Sequence, residues 1–266
     1  MRSRLALIAL AAALAGCGGD GDDDRRDAVS AYIRDANTAL QGSATALVQA
    51  ERALRDFSLD GAAAAESERE LTSVLDTLAS VRAALARLRP PAEARTLHAD
   101  TLELVDTQVR LAGDLRDLAG HLPAAARVLR DAEAARAKLQ GALESSGTGE
   151  EQAAATRAYA VEVERSLAAF RALEPPDILA DWHTGQLNVL QMSVSLATDL
   201  ADALEAKNED EIRRVLSGFE KVSRNAVSTA RAQVLAVREF NRRVEAQRVL
   251  VTKIAAEQRR LDRELG

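Results

Sequence analysis

Four side chains in this sequence could do chemistry: Cys17, His98, His183 and Trp182. Cys17 is the only cysteine, so no intramolecular disulfide forms and its thiol is open to covalent modification. His98 and His183 sit on apolar stripes with helical spacing, His98-Leu102-Val105-Val109 and His183-Leu187-Leu190-Val194. A metal site in a helical bundle wants a carboxylate or second histidine three or four residues away. Those places hold Ala94, Arg95, Thr101 and Leu102 around His98, and Leu179, Ala180, Gln186 and Leu187 around His183. Both histidines are therefore candidate metal ligands only if another helix supplies partners. The competing reading is a seam histidine that hydrogen-bonds a carbonyl near a proline turn. Trp182 is a candidate ligand contact if it lines a groove, and a core residue if it lies between helices.

Other chemistries lack their residues. There is no Gly-x-Ser-x-Gly elbow, and Ser145-Ser146-Gly147 falls in a polar hinge. No glycine-rich phosphate loop follows a strand. The carboxylates interleave with arginines on helical faces, the pattern of a solvated surface. The sequence reads as a non-enzyme with no catalytic residue and no cofactor.

The setting of Cys17 is distinctive. Arg2 and Arg4 precede an apolar run from Leu5 to Leu14, then small residues. That is the order of a secretory signal, and the run is far shorter than the roughly 20 residues a spanning helix needs. Leu14-Ala15-Gly16-Cys17 resembles the lipobox of bacterial lipoproteins. The resemblance implies cleavage between Gly16 and Cys17, acylation of Cys17, and export to the outer face of the cell membrane. Membrane contact would then be made by the acyl chains. Gly18-Gly19-Asp20-Gly21-Asp22-Asp23-Asp24 follows; glycine and like charge predict a flexible, extended acidic tether. The aspartates lack the downstream glutamate of a calcium loop.

The chain carries a formal charge of −6 and only 3% aromatic residues. It lacks the basic footprint and stacking rings of a nucleic-acid binder.

From Arg25 onward the apolar period is helical. Leu71, Val74, Leu78, Val81, Leu85 and Leu88 alternate by three and four, a heptad seam. Val29, Ile33, Ala36, Leu40, Ala44, Leu47 and Leu54 nearly repeat it. Breaks are expected at Asp60-Gly61, Pro90-Pro91, Gly120-His121-Leu122-Pro123, Ser145–Gly149 and Pro175-Pro176. Asn208 reads as an N-cap with Glu211 in the capping-box position. Sliding the chain by 85 residues aligns Leu88, Pro90, Pro91 and His98 with Leu173, Pro175, Pro176 and His183, giving 11 identities over 32 positions. This predicts a tandem repeat.

The expected fold is all-α: an elongated antiparallel bundle of about seven helices, a tandem three-helix repeat plus a long C-terminal helix. Its segments are a signal peptide (1–16), a tether (17–26), repeat 1 (27–121), repeat 2 (122–207) and the last helix (208–266). The Pro-Pro pair before a helical histidine, with Phe240-Asn241-Arg242-Arg243 late in the chain, resembles helical lipoproteins of high-GC Gram-positive bacteria. The expected role is a binding or scaffolding surface for an envelope protein partner. The alternative is capture of a metal or ligand between helices.

Overall fold

A computed structural model describes residues 20–265, and no strand occurs among them. The described residues form six α-helices: α1 (Asp20–Asp56), α2 (Gly61–Arg87), α3 (Arg95–Ser145), α4 (Gly149–Arg171), α5 (Ala180–Glu205) and α6 (Glu209–Leu265). Single 3-10 turns at Ala92–Ala94 and Asp177–Leu179 precede α3 and α5. The signal segment, Gly16 and Cys17 lie outside the described residues.

Two expectations are corrected. Asp20–Arg26 belong to α1 and not to an extended tether. The break at Gly120–Pro123 does not occur, because Pro123 lies inside α3, so six α-helices stand where about seven were expected. Proline costs a helix interior about 3 kcal/mol. Burial of His121, Ala125 and Val128 beside it keeps the chain helical.

The remaining breaks fall where backbone chemistry asks for them. α2 ends at Arg87 and α4 at Arg171, short of the two proline pairs, because the chain cannot stay helical just before proline; Pro91 and Pro176 then cap the 3-10 turns. Thr148 caps α4 in a full capping box, taking the Glu151 N–H while the Glu151 carboxylate takes the Thr148 N–H. At the end of α5, Lys207 is left-handed (φ 53°). Its N–H reaches the Leu204 carbonyl and that of Asn208 the Ala203 carbonyl, a Schellman closure. Asn208 accepts from the Glu211 N–H at 3.1 Å, as expected of an N-cap. The reciprocal half is absent, since Asn208 N–H is spent on α5 and the Glu211 carboxylate holds Arg214.

The chain divides into two compact units. The first takes the described residues through Ser58, then Ala62–Ala119 and the stretch from Phe240. Its core joins Val29, Tyr32 and Ile33 of α1, Val81 and Leu85 of α2, Leu97 and Val105 of α3, and Leu250, Ile254 and Leu261 of α6. A second cluster joins Ala46, Ala50 and Ala53 to Leu71, Val74 and Leu78. The α2 seam is thus buried as expected, with Leu88 partly buried. On α1 the buried row ends on Ala53, and Leu54 is exposed, because 3.6 residues per turn drifts from a strict heptad.

The second unit takes 59–61 and Gly120–Glu239: the C-terminal half of α3, then α4, α5 and the N-terminal half of α6. Phe170, Val163, Ala153, Ala197 and Val215 are among its most buried residues. Arg157 on α4 grips Asp202 at 2.9 Å and Glu205 at 2.7 Å on α5.

Two glycines mark where α5 and α6 approach closely. A Cβ on Gly185 would stand 2.6 Å from Thr229 Oγ1, and one on Gly218 would stand 2.5 Å from Leu196 Cδ2. Thr229 is buried, β-branched and tied to the Asn225 carbonyl, so it yields poorly. Leu196 is only half-buried and ends in a flexible side chain. Gly185→Ala should therefore cost about 1–3 kcal/mol in urea unfolding. Gly218→Ala should come out near neutral, since the alanine helix preference of about 1 kcal/mol offsets a smaller displacement.

Candidate functional site

Four aromatic side chains of the second unit gather where α4 gives way to α5. Phe170, in the last turn of α4, is fully buried. Trp182 and His183 follow the 3-10 turn in the first turn of α5. His121 reaches them from α3. Phe170 stacks on His183 with ring centroids 4.4 Å apart and planes at 16°, and meets Trp182 edge-on at 5.9 Å. His121 lies 6.3 Å from Trp182 and 5.5 Å from His183. Trp182 is thus a buried wall of this cluster, only 7% exposed.

The histidine hydrogen bonds differ from the expected ones. His121 Nδ1 lies 3.1 Å from the carbonyl of Glu174, the residue before Pro175. The carbonyl beside the proline pair is therefore taken by a histidine from α3, and His183 Nδ1 is buried without a partner. His98, in the first unit, shares a 3.1 Å hydrogen bond with the Tyr32 hydroxyl of α1. Burial pushes that phenol up to about 12. The two histidines that the 85-residue slide aligns thus hold different company: a phenol for His98, a second imidazole for His183.

His121 went unremarked as a functional residue because the reading of Gly120–Pro123 as a break placed it in a turn. One signal was available. Ala36 lies 85 residues before His121, both are buried, and Ser43 and Ala50 pair in the same way with Val128 and Ala135. The buried register of α1 therefore continues into this half of α3.

Metal chemistry of the multi-carboxylate kind has no seat here: among the described residues, no three His, Cys, Asp or Glu come together. Arginines of the last helix are partnered within the first unit. Arg243 binds Asp114 at 2.6 Å, and Arg260 binds Glu257 at 2.6 Å and the Glu93 carbonyl at 2.8 Å.

A different surface feature lies on the part of α6 in the second unit. Leu216, Val227, Val234 and Val237 are each about half exposed. At 100° per residue they fall on one stripe about 80° wide.

All three histidines have their pKa lowered, chiefly by burial, and His121 further by the neighbouring His183. A depressed imidazole contributes stability that is complete above the unfolded value near 6.5 and is lost as pH falls through the folded value. Unfolding free energies from urea titrations should hold from pH 8 to about 7. Below that they should fall, by up to about 1.4 kcal/mol per pH unit for each histidine involved, and His121→Gln should flatten the decline. Comparison with protein-family models, with curated proteins and with solved structures gives no match to this chain.

Proposed function

We propose that this chain is a lipoprotein held on the outer face of the cell membrane by acyl chains on Cys17. In this reading its helical bundle serves as a binding or scaffolding surface for another envelope component. The observation that carries the proposal is Leu14-Ala15-Gly16-Cys17 behind Arg2, Arg4 and the Leu5–Leu14 run. No described helix is long and apolar enough to cross a membrane; in this reading the acyl chains make the attachment. The exposed stripe Leu216–Val237 on α6 supports a docking role, since contiguous apolar surface commonly marks an interaction site. The protein acts by binding and not by turnover.

Duplication of a helical unit is part of the same proposal. Its support is positional: the 3-10 turns at Ala92–Ala94 and Asp177–Leu179 stand 85 residues apart, as do the starts of α3 and α5. Leu97 and Trp182, one such pair, are both buried.

A second reading, capture of a metal or ligand between helices, is favoured by the buried, unpartnered nitrogens of His121 and His183.

The anchor is tested by metabolic labelling with an alkynyl fatty acid. The natural chain should take the label and sediment with membranes, while Cys17→Ser should lose the label and pass to the soluble fraction. Retention of Cys17→Ser in the membrane fraction would overturn the reading. The docking stripe has its own readout. Val227→Asp with Val234→Asp should move the thermal midpoint little, because both sites are exposed. The same pair should abolish cross-links to the envelope partner formed from a photoreactive residue at Ser228.

A further inference from the structure

His121 Nδ1 faces the Glu174 carbonyl at 3.1 Å. A carbonyl only accepts, so Nδ1 carries the proton and Nε2 presents a lone pair. That Nε2 is buried and has no partner, and neither has Nδ1 of His183. Both side chains are more than nine-tenths buried, at 6% and 4% exposure, where an unsatisfied polar atom is costly. The rings are neighbours, 5.5 Å between centroids and tilted by 57°. Two imidazoles ligating one ion in line at about 2.0 Å each would place their centroids about 6 Å apart, close to the 5.5 Å separation found. Donation of the second ring N–H to a backbone carbonyl is also how ligand histidines are commonly oriented.

The surroundings select the ion. The site offers two neutral nitrogens, and among the described residues no third His, Cys, Asp or Glu joins them. Its walls are Phe170, stacked on His183, and Trp182, edge-on to His121. Calcium and magnesium want six or more oxygens, and zinc wants four ligands. A double charge without an anion is also far costlier to bury than a single one. A monovalent d10 ion is satisfied by two nitrogens, and imidazole suits copper. We propose that His121 Nε2 and His183 Nδ1 form a two-coordinate site for copper(I). The proposal rests on the capture reading and is independent of the anchor. His98 supplies an internal control, because its Nδ1 is engaged by Tyr32.

The test uses the full chain with Cys17→Ser in every arm, so that the thiol cannot take the metal. Silver(I), a redox-stable stand-in, and copper(I) without oxygen are titrated while quenching of Trp182, the only tryptophan, is followed. One ion should bind per chain. His121→Gln and His183→Gln should each weaken binding at least tenfold, and His98→Gln should match its parent. Copper K-edge absorption should show two nitrogen neighbours at about 2 Å, a readout on the parent chain that stands even if a variant fails to fold. Sulfur in that shell, an equal loss in His98→Gln, or zinc(II) binding as tightly as silver(I) would each overturn the site. Silence to every metal overturns it too. If an apolar small molecule then still shifts Trp182 emission, the capture reading survives without copper; if none does, both fall.

Discussion

Every helix in this protein must bury a narrow aliphatic stripe, and very little else is available to hold the fold. One cysteine allows no disulfide within the chain, and aromatic residues make up 3% of it. Many ion pairs join residues three or four apart on one exposed helix, such as Arg136 with Glu133 and Arg165 with Glu162. Exposed pairs of this kind contribute a few tenths of a kcal/mol each. A fully buried leucine contributes roughly 2 kcal/mol, so Leu71, Leu78 and Leu85 on α2 outweigh all of that helix's surface pairs. Where the stripe narrows to alanine, as at Ala46, Ala50 and Ala53, the reward per residue falls and backbones can approach instead.

That constraint explains what could be read in advance. The α2 seam was legible residue by residue because leucine and valine are spaced by three and four with no competing signal. The proline pairs were legible because the restriction they impose is local. Pro123 was misread for the opposite reason. Its local cost is real, but tertiary burial of His121, Ala125 and Val128 outweighs it, and burial on a neighbouring helix leaves no local mark. Leu54 was misread through its type: a leucine looked like a seam residue, yet the drift of the helix put the smaller Ala53 inward. The Asn208 cap was half legible. Its side chain does what asparagine does at a helix start, while its N–H was already committed to closing the previous helix.

The aromatic cluster illustrates the same limit at a site. Trp182 and His183 were visible as neighbours in sequence, but what makes them a site is His121, some 60 positions away on another helix. Chemistry-bearing residues with helical spacing announce themselves only when their partner is on the same helix. The comparison of His98 with His183 sharpens this. Position within the chain was equivalent, and the environment was decided by whether a phenol or an imidazole came across from the facing helix.

The order in which the chain is made gives the division into two units a temporal meaning. The second unit is almost contiguous, running from Gly120 to Glu239, whereas the first also needs the stretch from Phe240. Leu250, Ile254 and Leu261 sit in its core beside Val29 and Ile33. A chain emerging from its N-terminus can therefore complete the later unit while the earlier one still waits for its fourth helix. Val29, Ile33 and Leu85 therefore keep an open flank, within reach of chaperones, until the stretch from Phe240 has been made.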